Sequence, residues 1–253
     1  MELTKSNYFT PEMSMKYMSS SQFKSFMKCE ACAMAEIRGE WRNEPTPAML
    51  QGSFVDAYFE DNMEQFTAEH PEICKINSTD LLKKYVDLYT IINVIKSDPV
   101  LLRHCTGEQQ RIMTGNINGV PFKIMIDSLL EDMTVDRKVM ADFKGKWVNG
   151  EYKEWWGVYG YDIQAFIYQY IRSQNDDGKI KPFVLAVVTK EKQANKDLFV
   201  VGDDTLKNAG ADIINLAPRY QAIKNGLILP RYCGECDYCK SIKKLKENEY
   251  KEI

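Results

Sequence analysis

The stretch from Val120 to Met140, V-P-F-K-I-M-I-D-S-L-L-E-D-M-T-V-D-R-K-V-M, constrains the fold more than any other part of the chain. Two runs rich in Ile, Met, Val and Leu flank Glu131 and Asp132, the pattern of a β-hairpin with a short polar turn. Side chains alternate across a strand, so Asp136 and Lys138 share one face. Asp127, in the first run, precedes Asp136 by a spacing that a tight hairpin closes. Two carboxylates and an ammonium meeting across a sheet suit phosphodiester chemistry. The carboxylates hold a divalent cation, and the lysine positions or stabilises a charged, water-derived nucleophile.

An Asp-x-Lys triplet is weak evidence by itself. Asp142-Phe143-Lys144 repeats the pattern six residues on, and we place it in the loop beyond the strand. Val135 and Val139 flank the Asp136 triplet as core residues would.

The rest of the chain alternates helix and strand. Helices are expected over 19–38, opened by a serine cap, and over 48–66 and 79–97, the last ended by Asp98-Pro99. A strand over 108–114 leads to an Asn118-Gly119 turn. A helix over 155–172 follows the hairpin. The apolar run F-V-L-A-V-V-T at 183–189 suits a strand buried on both faces. A short strand at 197–201 and a helix over 204–226 complete a mixed α/β core. Residues 1–107 read as a helical part integrated with that core, 108–203 as the core, and 204–253 as a helix and a cysteine-rich segment, all expected in one compact domain.

The 253 residues carry a net charge of -3, so no global basic character advertises nucleic acid. A local basic surface around an acidic metal centre is compatible with that charge. No apolar stretch is long enough for a membrane span, and the N-terminus lacks a hydrophobic signal core. The expectation is a cytoplasmic protein without membrane association, in which seven cysteines are not disulfides but metal or catalytic groups where they cluster.

Asp127, Asp136, Lys138 and the helix sequence G-Y-D-I-Q-A-F-I-Y together resemble the PD-(D/E)XK nuclease superfamily. The likeness is to its RecB-type branch, and within it to the exonuclease-VIII-like phage and bacterial proteins. The resemblance implies a restriction-endonuclease-like α/β core, a mixed central sheet flanked by helices, with an N-terminal helical region and a C-terminal cysteine cluster. It implies Asp127 and Asp136 as ligands of Mg²⁺ or Mn²⁺, with the Arg137 carbonyl also facing the metal, and Lys138 as the catalytic lysine. Gln164 and Tyr168, i and i+4 on a helix, would shape the site or contact DNA; core packing explains Tyr168 equally well. The branch carries Gly-x-x-x-His on an early helix. Here Gly52 is followed by Asp56 in the histidine's place, with Glu60 one turn later. Asp56 either keeps the metal site with a harder ligand or marks a lost one. Glu108 is a further candidate acid, or a solvated charge at a strand end. Either of the two histidines, His70 and His104, is read as structural.

Cys233-Gly-Glu-Cys236-Asp-Tyr-Cys239 places three thiolates on one side of a tight turn, one short of a structural site. Cys29 and Cys32 are the sources of a fourth. Related RecB-type nucleases, the CRISPR-adaptation and AddB-type enzymes among them, hold a 4Fe-4S cluster with one Cys before the core and three after it. By that resemblance Cys29 joins Cys233, Cys236 and Cys239, with Cys32 the alternative for the fourth position and Zn²⁺ the alternative to iron–sulfur. Cys74 and Cys105 read as packing residues.

The resemblance implies a metal-dependent deoxyribonuclease, an exonuclease of recombination or repair, with DNA as substrate and a recombination or helicase protein as partner. The competing readings are a nuclease fold that binds DNA or a protein without cutting, and a zinc-ribbon interaction protein. Lysines at 240, 243, 244 and 246, and at 190, 192 and 196, form two candidate phosphate patches, with a solvated face as the simpler explanation. Trp147, Trp155, Trp156, Tyr159 and Tyr161 make an aromatic approach to the Gln164 helix, suited in part to stacking on single-stranded bases.

Overall fold

The computed structural model describes residues 2–148 and 150–245, so Lys246 lies outside the described residues. The helices before the first strand are α1 (Pro11–Lys16), α2 (Ser20–Lys28), α3 (Glu30–Arg38), α4 (Pro47–Phe59), α5 (Met63–Glu69), α6 (Lys83–Val86), α7 (Leu88–Ser97) and α8 (Pro99–Cys105). Strands β1 (Arg111–Ile117), β2 (Val120–Ile126), β3 (Ser128–Leu129), β4 (Thr134–Met140), β5 (Lys146–Val148) and β6 (Glu151–Lys153) follow. Then come α9 (Trp155–Val158), α10 (Tyr161–Asn175), β7 (Phe183–Thr189), β8 (Lys196–Val200), α11 (Asp203–Lys224) and α12 (Asp237–Ser241).

The central sheet runs β3-β4-β7-β8, with β4 and β7 parallel and the two outer pairs antiparallel. Every residue of β7 is buried, which is why its sequence is unbroken by a polar side chain until Thr189. One face of β7 puts Phe183, Leu185 and Val187 against α10, in a core cluster that residues of α2 and α11 also join. The other puts Val184, Ala186 and Val188 against the apolar sides of α4, α7 and α8, including Phe54, Ile92 and Leu101.

The expected hairpin across Glu131 is corrected in one respect. The first apolar run does not pair with the second: β2 pairs with β1 through the Asn118-Gly119 turn, whose residues both have positive φ (47° and 79°). Only Ser128 and Leu129 turn back on β4, against Val135 and Thr134. Asp127 therefore sits at the break between two sheets, freed from either ladder. Arg172 of α10 secures the turn after it, donating to the carbonyls of Leu130 (2.8 Å) and Glu131 (2.9 Å).

Four expected helices are interrupted, the span 79–97 among them: it starts only at Lys83 and breaks at Asp87 between α6 and α7. The span 19–38 breaks at Cys29, whose extended backbone (φ -161°, ψ 112°) separates α2 from α3. The span 48–66 breaks after Phe59, with Asp61 at φ 54°. The span 155–172 breaks at Gly160, φ 63°. Ahead of the first expected helix, residues 11–16 form α1, capped by the Thr10 hydroxyl.

Candidate active site and cysteine centre

Asp136 and Lys138 lie on the α10 side of β4, and Arg137 on the α4 side, because successive strand residues face opposite ways. Asp136 is fully enclosed at 2 % exposure. Its Oδ1 accepts from Gln164 Nε2 at 2.7 Å, and its Oδ2 meets the Lys138 ammonium in an ion pair. That oxygen has no hydrogen-bond donor of normal geometry. Lys138 also donates to the Arg137 carbonyl at 3.1 Å. Burial works against the Lys138 charge, but the Asp136 and Asp127 carboxylates outweigh it and hold the amine protonated. Burial, the larger influence, pushes Asp136 up to about 6 against the pull of Lys138.

Asp127 reaches across the break: its Oδ2 accepts from the Arg137 backbone amide at 3.1 Å. Asp127, Asp136 and Lys138 thus surround the Arg137 peptide.

Asp56 approaches from α4, where the 3.6-residue period aims it and Glu60 at β4 while Phe54 and Val55 enter the core. Here the Arg137 side chain takes a part that sequence reasoning missed. Its Nε donates to Asp56 Oδ1 (3.1 Å), and its Nη2 lies 3.5 Å from Glu60 Oε1. Its Nη1 donates to Gln109 Oε1 (2.6 Å) and to the Cys105 and Asp127 carbonyls (3.1 and 3.2 Å). Burial and the Asp127 charge raise Asp56 above the usual carboxylate range, with Arg137 opposing them. A buried arginine beside an aspartate where a histidine was expected was the available signal: a second acid needs a cation.

Two candidates stand apart. Glu108 is half exposed and pairs with Arg111 at 3.0 Å. Tyr168 is buried, edge-on to Phe183, and donates to the Met125 carbonyl at 2.9 Å. It braces the strand that leads into Asp127. Asp142 and Lys144 lie in a bend beyond β4 and share no contact with the acidic cluster, the Asp142 carboxylate instead accepting from the Lys144 amide at 3.0 Å. Lys190 and Lys196 are also engaged locally, by Gln51 (2.6 Å) and Asp98 (2.7 Å).

At the opposite end of α2, Cys29 meets the C-terminal segment. The sulfurs of Cys29, Cys233, Cys236 and Cys239 all lie within 4.8 Å of one another, and among the described residues no trio of acids gathers as tightly. The Cys29–Cys239 and Cys233–Cys239 sulfur separations are 3.6 and 3.8 Å. The Cys233 sulfur accepts from the amides of Cys236 (3.3 Å) and Glu235 (3.4 Å), which pull its thiol down to about 6. Cys32 packs beside this group but outside the four. Glu30 secures the junction, accepting from Arg219 at 2.7 and 2.9 Å and from the Arg231 amide at 2.8 Å.

Comparison with known proteins agrees with this architecture. Residues 19–242 match the family described as a PDDEXK-like domain of unknown function (DUF3799). A solved structure described as "Putative exonuclease" from Eubacterium rectale superposes with a TM-score of 0.93 at 35 % identity, covering 99 % of this chain and 97 % of that one. A second, SSO0001, aligns over 87 % of this chain and 95 % of its own at 16 % identity and a TM-score of 0.31, too low to bear on the fold. No curated protein sequence matches. The helix-flanked mixed sheet is the restriction-endonuclease-like core. No helix among the described residues is long and apolar enough to cross a membrane.

Proposed function

The chain belongs to the PDDEXK-like family, and from that premise we propose that it is a metal-dependent deoxyribonuclease acting at DNA ends, of the kind that serves recombination or repair. The observation that carries the reading is the convergence of Asp127, Asp136 and Lys138 on the Arg137 peptide. The exonuclease character is carried over from the Eubacterium rectale relative's name.

The donor set fits a hard divalent cation: carboxylate oxygens of Asp127 and Asp136, the Arg137 carbonyl, and an Asp136 Oδ2 without a normal hydrogen-bond donor. These residues would hold Mg²⁺ or Mn²⁺, which when bound acidifies a water and neutralises charge on the phosphate. Gln164 fixes the Asp136 carboxylate, leaving its other oxygen turned toward Lys138. Lys138 presents a charged amine at the same place, where it would hold a non-bridging phosphate oxygen and orient the attacking water. Asp56 and Glu60, held by Arg137, set the negative wall behind the site.

One observation favours a second reading, a module that binds DNA or a partner protein without cutting: Arg137 engages the acid that replaces the family histidine. Incubating end-labelled DNA with the wild-type chain and with Lys138→Ala, in Mg²⁺ or Mn²⁺ and in chelator, separates the two. Ion-dependent shortening of the label by the wild type alone supports the enzyme. Intact DNA that is nevertheless bound supports the module.

The cysteine quartet supports a single structural ion. Four thiolates around one zinc at about 2.3 Å stand ~3.8 Å apart, the separation seen between Cys233 and Cys239. A 4Fe-4S cluster sets a cube of iron and sulfide between its thiolates and spreads them farther. Either group would clasp the start of α3 to the C-terminal segment. Metal analysis of anaerobically purified protein decides: one zinc and no visible absorbance for the ion, about four irons with a brown chromophore for the cluster.

A further inference from the structure

Lys138 is the inner end of a row of amines and tyrosine rings. Its Nζ lies 5.6 Å from the centre of the Tyr161 ring, and Lys24 of α2 lies 5.9 Å from the same centre. Lys24 also donates to the Tyr159 carbonyl at 3.3 Å. Gly160, between the two tyrosines, admits it: a Cβ there would stand 2.8 Å from Lys24 Cδ. The Tyr159 and Tyr161 rings are 5.7 Å apart and tilted 31°. Outermost, Lys146 of β5 donates to the Tyr159 hydroxyl at 3.2 Å and sits over its ring at 5.6 Å.

Lys24 and Lys146 have no carboxylate within ion-pairing distance among the described residues, although Asp136 and, more weakly, Asp162 act on Lys24, whose amine burial and the neighbouring Lys138 charge pull down to about 8. In an acidic chain, where many lysines pair with an acid, these two amines along one aromatic row meet only neutral oxygens and can take an anion. Tyr159 is 42 % exposed, so one ring is open to a planar partner.

We propose that Lys24, Tyr159, Tyr161 and Lys146 form a track that leads single-stranded nucleic acid to Lys138. Phosphates repeat along a strand at a spacing that successive amines can meet, and a base stacks on the open Tyr159 face. A duplex keeps its base faces covered and cannot use that ring. The track rests on the nuclease reading and names its substrate class.

The test is binding of a fluorescent oligothymidylate, and of a duplex of equal length, to the full-length Lys138→Ala chain over a salt series. Tighter binding of the oligothymidylate is expected. Lys24→Met and Lys146→Met should each reduce the salt slope by about 0.7, and Lys24→Arg should restore it. Tyr159→Leu should weaken oligothymidylate binding about fivefold or more without changing the slope, while Tyr159→Phe retains it. Equal affinity for duplex, slopes indifferent to both lysines, or no binding at all overturns the track. Wild-type cleavage with variant-indifferent binding overturns the track and leaves the nuclease; track-dependent binding without cleavage does the reverse.

Discussion

Arg137 and Asp56 meet across the floor of the site, guanidinium Nε to carboxylate Oδ1 at 3.1 Å, from a strand and a helix 81 residues apart. The same guanidinium serves Glu60 and three carbonyl or amide oxygens, so the two acids at the end of α4 share one cation and keep a net negative charge.

Arg137→Met should leave Asp56 and Glu60 facing each other without a cation. Losing one member of a buried pair costs about 3–5 kcal/mol. The low end applies because Asp56 retains 32 % side-chain exposure. Urea unfolding measures it, and an Asp56→Asn, Arg137→Met double variant should lose less than the two single losses combined. Additive losses would show that the pair is not coupled.

Gln164→Leu should act on the site and not on the core. It removes the 2.7 Å donor to Asp136 Oδ1 without opening a large cavity. Groups that orient a metal-binding carboxylate are worth about 10–100-fold in ion affinity or activity. Titration with Mn²⁺ and the cleavage assay read the loss; unchanged values in both would remove Gln164 from the site.

Gly107→Ala should disturb Asp127 from behind. An added Cβ would stand 2.4 Å from the Leu129 carbonyl oxygen, which is backbone and cannot swing away. The Glu108 amide binds that same oxygen at 2.9 Å. A loss of about 1–3 kcal/mol is expected from the overpacking, with faster amide exchange at Ser128 and Leu129. A melting curve that matches wild type would contradict it.

Lys224 predicts a pH dependence of stability. It is 3 % exposed, donates to the Tyr17 carbonyl at 2.8 Å and Gln22 Oε1 at 3.3 Å, and burial pulls its amine down to about 7. Between pH 7 and the ordinary lysine value the unfolded chain binds the extra proton, so stability rises with pH across that window. The folded and unfolded chains are both protonated below it, and the gain is absent there. Thermal melts from pH 7 to 9 should show a steeper rise for wild type than for Lys224→Met; parallel curves would refute this.

Much of the site was legible because its signals are local. Asp136 and Lys138 share a face whenever the segment is a strand, and Gln164 and Tyr168 share one whenever theirs is a helix. The run Phe183–Thr189 announces a strand covered on both sides. Less legible was what depends on partners far along the chain. Glu108 and Glu60 look alike in sequence, yet one ends beside Arg111 at the surface and the other beside Arg137. Lys24 reads as one more polar position on an amphipathic helix until α10 brings Tyr161 beneath it.

Periodicity and residue chemistry by themselves determined the α/β alternation, the acid and amine that share a face of β4, and a cysteine triplet that needed a fourth thiol. Tertiary structure alone decided that β4 pairs in parallel with β7, that Cys29 sits at a helix break beside the triplet, and that Arg137 answers Asp56. The physical reason is range. Side-chain direction follows from dihedral periods a few residues long, whereas pairing, charge compensation and burial depend on which distant surfaces the whole chain packs together.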